Sequence, residues 1–252
     1  VKSFLTDEGF NCANDGLQVL GGSGYTQDWG IEQLVRDARI TRIYEGTNGI
    51  QGLDLVGRKL ALGGGRAVRS YFALLNGWLQ ANPQAPHAAA VGKALQQLQK
   101  ATLWIASEGM KDAEQAGAAA TPYLRLFALT SLAWFWSRMA QVASEQLAAG
   151  SSETAFYGAK LKSADFYVAR VLTETDGLLA EVLAGKASLM AFSEPCGLDR
   201  QDHPYKLISV EDTRFLHCNI KTLNLIPNCM AMQQAVEAGC DEVVFHRGER
   251  VT

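Results

Sequence analysis

The sequence predicts a mainly α fold of antiparallel helical bundles, with a small α/β segment at its C-terminal end. Three observations carry that expectation. Apolar residues recur at helical spacing through residues 1–192. Alanine occurs 32 times in residues 1–194 and only 3 times in residues 195–252, a shift that marks two segments of different origin joined near Ser193-Glu194-Pro195. After residue 194 the apolar pattern shortens to short β-rich runs around a single helix.

The elements follow in order. Residues 1–22 place Phe4, Leu5, Ala13, Leu17 and Leu20 at near-helical spacing, and Gly21-Gly22 ends the run. Residues 30–40 predict a short helix charged on one side, and a third helix starts at Thr47, a good N-cap, with Ile50, Leu53, Val56 and Leu60 on one face. Gly63-Gly64-Gly65 lacks the spacing of a nucleotide-binding loop and reads as a hinge and domain boundary. Longer helices are expected over 66–80, 86–119, 122–149 and 152–186, separated by Asn82-Pro83, Thr121-Pro122 and Gly150-Ser151. Beyond Ser193-Glu194-Pro195, strands are expected over 206–210 and 242–246 with a helix over 225–239 that ends at Gly239. The chain thus divides into domains 1–62, 66–192 and 195–252, and the last is too small to hold much core of its own.

Composition narrows the function. The 252 residues carry a formal net charge of -3, with 23 basic and 26 acidic side chains and no basic block, which leaves nucleic-acid binding without its electrostatic footprint. No apolar run reaches the roughly 18 residues of a membrane span, and the first ten residues have no signal-peptide pattern. Five cysteines at 12, 196, 218, 229 and 240 form no CxxC pair, which argues against a disulfide scaffold or a local zinc site and for a reducing, cytoplasmic compartment. His203, His217 and His246 are not at metal-ligand spacing, so no metal is expected. All five tryptophans precede residue 137, and Trp104, Trp134 and Trp136 read as core.

The most informative stretch is residues 18–51. Glu45 stands just before Gly46-Thr47-Asn48-Gly49, at the mouth of the third helix, where a carboxylate beside glycine has room to meet a substrate and act as a base. The alternative from spacing alone is a helix-start charge favoured by the macrodipole. Asp37 with Arg36 and Arg39 reads as a solvated ion pair.

Residues 18–58 resemble the C-terminal helical domain of the acyl-CoA dehydrogenases. The match rests on QVLGGSGY, residues 18–25, followed in order by RDARITRIYEGT, residues 36–47. The resemblance implies an FAD-dependent α,β-dehydrogenation of an acyl-CoA thioester in fatty acid metabolism. Glu45 would take the α-proton while the β-hydride passes to the flavin. Carried over by position, Gln18, Val19, Leu20, Gly21 and Gly22 would contact the FAD of a neighbouring subunit, and Thr47, Asn48 and Gly49 would lie beside it. Gly46 and Arg58 would lie on the substrate side, a surface arginine being the alternative for Arg58. The implied partners are an acyl-CoA, an electron-transfer flavoprotein or similar acceptor, and further copies of the chain. Residues 66–192 resemble, more loosely, the subgroup with an additional C-terminal helical domain, which includes the methylmercaptopropionyl-CoA dehydrogenases. The family's amino-terminal helical and middle β-domains have no counterpart in the sequence, so the dehydrogenase part is expected to be incomplete.

A lysine is the second chemical signal. Lys221 falls between a strand and a helix, a fixed position of the kind a Schiff-base lysine needs, although an isolated lysine is usually a surface residue. Residues 195–252 resemble the D-amino-acid transaminases of the fold-type IV pyridoxal-phosphate enzymes, through VEDTRFLHCNIKTLNL, residues 210–225, and VVFHRGERVT, residues 243–252. That resemblance implies pyridoxal phosphate on Lys221 and a chimera joined near residues 192–195. A third reading is a helical interaction module with neither activity.

Overall fold

The computed structural model describes residues 1–188, 206–211, 226–240, 242–248 and 250–251. The protein is mainly α. Its residues form two compact units, Val1–Ala191 and Phe192–Thr252.

In the first unit, α1 (Lys2–Val19) is followed by a 3-10 turn over Gly21–Tyr25 and by α2 (Ile31–Ile40), then α3 (Asn48–Asp54), which widens into a π turn over Leu55–Lys59. Next come α4 (Leu62–Ala81), α5 (Ala88–Lys111), α6 (Ala113–Ala148), α7 (Thr154–Phe166), a π turn over Tyr167–Val171, and α8 (Glu174–Ala184).

The bundle directions can be read from its hydrogen bonds. The Tyr123 and Thr102 hydroxyls meet at 2.8 Å, and Ser137 of α6 donates to the Pro86 carbonyl just before α5. As α6 advances its partners on α5 recede, so the two helices are antiparallel. Likewise Tyr167 donates to the Leu129 carbonyl at 2.8 Å and Arg125 reaches Glu174 at 2.7 Å, so α6 also runs against the α7–α8 arm. Their shared core contains Leu75, Val91, Leu95, Leu98, Tyr123, Leu126, Leu129 and Val182. Trp134 is buried in it, and Trp104 and Trp136 pack half-buried against it.

Three boundaries differ from the sequence expectation. The expected break at Thr121-Pro122 is absent, and α6 runs through Pro122. The real break is Asp112, whose extended backbone and cap bond to the Glu114 amide at 3.0 Å end α5 and start α6. Proline removes one helical hydrogen bond, but the buried Ala119 and Ala120 before it and the fully buried Tyr123 and Leu126 after it anchor the helix on both sides of the gap. The expected helix over 152–186 is two helices joined by a π turn. Gly63, Gly64 and Gly65 are all left-handed, with φ of 60°, 65° and 77°, and they kink α4 near its start.

In the second unit, β1 (Leu207–Glu211), α9 (Ile226–Glu237) and β2 (Glu242–Arg247) form a strand-helix-strand element whose strands are parallel, with Leu207 opposite Glu242 and Glu211 opposite His246. The short β3 (Arg250–Val251) returns antiparallel to β2. Ala231 and Ala235 of α9 are buried.

Candidate active site

The loop between α2 and α3 carries the candidate base. Its backbone is closed by the Asn48 amide, which donates to the Arg42 carbonyl at 3.2 Å. Inside it Glu45 has φ 55° and Gly46 has φ 83°, both left-handed. That conformation is uncommon for a residue with a Cβ. Thr47 ends the loop as the N-cap of α3, its hydroxyl accepting from the Ile50 amide at 3.5 Å. Glu45 itself is exposed.

The loop is fastened from both flanks. From α1, Lys2 Nζ donates to the Gly46 carbonyl at 2.9 Å and to Asn48 Oδ1 at 2.8 Å. The Asn48 amide group donates in turn to the Ser3 carbonyl at 3.1 Å and to Thr6 Oγ1 at 3.0 Å. From α3, Gln51 Nε2 donates to the Glu45 carbonyl at 3.1 Å. A Cβ at Gly46 would stand 3.0 Å from that amide nitrogen, at the end of a side chain that can shift, so it is the left-handed backbone that favours glycine there.

The other candidate residues lie on the surface. Gln18, Val19, Leu20, Gly21 and Gly22 are exposed, Val19 at 85%. Gly21, with φ 61°, and Gly22 have no atom within 4 Å of where a Cβ would sit, leaving their backbone open to close approach. Further along the same stretch Tyr25, Trp29, Leu34, Ile40, Ile43, Tyr44, Ile50 and Leu53 are also exposed, a high density of exposed large apolar side chains for so short a segment. Thr47 and Gly49 are exposed at the start of α3, while the Asn48 side chain is turned onto α1. Arg58, in the π turn, pairs with Asp54 at 2.6 Å, and Lys59 reaches the other oxygen at 2.9 Å. The Arg58 hydrogen bond, then that of Lys59, draws the Asp54 carboxyl down to about 2, and Asp54 raises Arg58 in return. On α2, Arg36 pairs with Glu32 at 3.0 Å rather than with Asp37, which accepts instead from Gln33 at 2.7 Å. Lys221 lies outside the described residues.

Sequence reasoning missed Lys2, Ser3, Thr6 and Gln51. Lys2 and Thr6 share a helix face, but no local pattern links them to Asn48, 42 to 46 residues away.

Comparison with known proteins adds the family context. Residues 1–60 match the family described as "Acyl-CoA dehydrogenase, C-terminal domain", and residues 71–193 that described as "Acetyl-CoA dehydrogenase C-terminal like". The chain is similar to the 3-methylmercaptopropionyl-CoA dehydrogenase of Ruegeria pomeroyi, with 33% identity over 181 residues, 69% of this chain and 30% of that protein. It is also similar to a broad-specificity linear acyl-CoA dehydrogenase of Mycobacterium tuberculosis, with 29% identity over 184 residues, 68% of this chain and 30% of that protein. A shorter match, 48% over 63 residues, 25% of this chain and 16% of that protein, is to an acyl-CoA dehydrogenase of Bacillus subtilis. The chain therefore spans under a third of the length of the relatives it matches. Neither family range extends past residue 193, so the transaminase resemblance of residues 195–252 rests on its motifs alone.

Proposed function

Residues 1–60 and 71–193 are C-terminal regions of an acyl-CoA dehydrogenase, and on that premise we propose that they serve α,β-dehydrogenation of an acyl-CoA thioester with Glu45 as the α-proton base. The observation that carries this reading is Glu45 exposed on a left-handed loop that is hydrogen-bonded from α1 and α3. A carboxylate held rigidly next to a polarised thioester removes a proton far better than one on a mobile chain, because its position is set before the reaction begins.

The residues present fit one wall of an FAD site. The open backbone of Gly21 and Gly22 admits a flat ring system or a pyrophosphate, and exposed Val19, Leu20 and Tyr25 offer apolar contact. Gln18–Gly22 would hold the group from one side, with Thr47 and Gly49 near its edge. Bound FAD would supply the hydride acceptor and Glu45 the proton acceptor. Arg58 is assigned to the substrate side, although its pairing with Asp54 leaves only part of its guanidinium for a ligand. The many exposed large apolar side chains between residues 19 and 53 support assembly into a homo-oligomer, in which they would be covered. Electrons would leave to an electron-transfer flavoprotein or similar acceptor. A cytoplasmic location and the division into 1–62, 66–192 and 195–252 belong to the same reading.

The test is Glu45→Gln in flavin-loaded protein supplied with acyl-CoA. Loss of a positioned base is expected to lower turnover by about a hundredfold to ten-thousandfold while flavin binding is retained. Turnover within a few-fold of the starting protein would overturn the assignment.

A second reading concerns residues 195–252. It rests on the sequence motifs, in which Lys221 lies between the stretch that ends β1 at Glu211 and the one that begins α9 at Ile226. Incubation with pyridoxal phosphate, borohydride reduction and peptide mass mapping should mark Lys221; label elsewhere, or none, rejects this reading, including a chimeric transaminase origin.

A further inference from the structure

Resting on Glu45 as the base, we propose that Lys2 and Asn48 are its positioning residues, a clamp that carries the order of α1 into the loop Arg42–Asn48. A residue with a Cβ at φ 55° persists in that conformation only where its surroundings over-determine it. Here they do. The Lys2 ammonium takes two acceptors from the loop, the Gly46 carbonyl and Asn48 Oδ1, which flank Thr47 on either side. It therefore fixes the carbonyl of the residue that follows Glu45.

Asn48 completes the clamp. Its oxygen accepts from Lys2 and its nitrogen donates to Ser3 and Thr6, so both ends of the side-chain amide are committed to α1. The Asn48 backbone amide meanwhile closes the loop on Arg42. One residue thus joins the helix, the loop and the start of α3. Gln51 holds the Glu45 carbonyl from the opposite side. Neither Lys2 nor Asn48 needs to touch an acyl group for this; both act on Glu45 through the backbone.

The experiment is amide hydrogen exchange on the full chain and on its Lys2→Met, Lys2→Arg and Asn48→Ala variants, with the amide of residue 48 as reporter. Lys2→Met is expected to speed exchange there by at least about tenfold, because a charged donor is removed, while amides of α5 and α6 keep their rates. Lys2→Arg is expected to restore most of the protection. Adding Asn48→Ala to Lys2→Met should speed exchange further, because Asn48 keeps its own bonds to Ser3 and Thr6, but by less than the two single effects combined, since the residues share a bond. An unchanged rate at residue 48, or equal acceleration throughout α5 and α6, overturns the clamp. In flavin-loaded protein Lys2→Met should lower kcat about tenfold with KM nearly unchanged, and Lys2→Arg should recover it. If instead Glu45→Gln remains active, the base assignment fails while the exchange pattern stands, so the two failures are distinguishable.

Discussion

Arg125 of α6 donates to Glu8 of α1 at 2.7 Å, joining residues 117 apart in sequence. The same guanidinium donates to Glu174 of α8 at 2.7 Å and lies over the Phe4 ring at 5.5 Å. The bond to Glu174 is the main reason the guanidinium is held above its ordinary value, against partial burial that lowers it. One side chain therefore ties the helix that supports the candidate base to two helices of the bundle.

Arg125→Met is expected to lower stability by about 1–2 kcal/mol, the scale of charged hydrogen bonds at a partly exposed site. Urea denaturation checks it. Loss of protection in α1 as well as in α8 is the expected exchange pattern, and an effect confined to α8 would show that Glu8 contributes nothing.

Gly52 faces the α6 backbone, where a Cβ would meet the Ala120 carbonyl oxygen at 3.2 Å. Helix backbone does not yield as a flexible side chain does. Gly52→Ala is expected to push α3 outward and cost on the order of 1 kcal/mol or more. A thermal melt checks the cost; an unchanged or higher Tm would contradict it.

Leu98 is fully buried at the centre of α5, whereas Leu103 on the same helix is 71% exposed. Leu98→Ala is expected to cost about 3 kcal/mol and Leu103→Ala under about 0.5 kcal/mol. Parallel denaturant curves for the two variants test the location of the core.

Hydrogen bonds from Lys186, Lys93 and Arg58 hold the carboxyls of Asp112, Asp176 and Asp54 below their ordinary values. Because the folded values are depressed, the stability these pairs contribute is fully present above about pH 4, the ordinary aspartate range. It is lost as pH falls through the folded values, down to about 2 for Asp54. The denaturation midpoint should therefore fall on acidification below about pH 4, and Asp112→Asn should flatten part of that slope. An identical acid slope in the variant would remove Asp112 from the account.

Much of the architecture is legible in the sequence because helical periodicity is a local signal. The strand-helix-strand order of the tail is legible for the same reason, from β-rich runs on either side of one helix. The break at Asp112 is not. Thr121-Pro122 is the stronger local stop signal, and it is overridden by burial of Tyr123 and Leu126 against other helices, which only the assembled bundle reveals. At the candidate site, the Glu45 and Gly46 motif can be read directly, but the residues that hold it cannot. Lys2 and Thr6 contact Asn48 only after α1 and α3 have packed together.

The three left-handed glycines at the start of α4 reverse the chain's handedness over consecutive residues. What is strained for an L-amino acid there is relaxed for its mirror image. At Gly64, where no atom lies within 4 Å of an added L-side-chain Cβ, the obstacle to L-alanine is stereochemical rather than spatial. A semisynthetic chain carrying D-alanine at that seam would keep the turn and restrict the unfolded chain, gaining up to about 1 kcal/mol where the L-enantiomer loses. Within one enantiomer, glycine is the residue that takes such a conformation without strain.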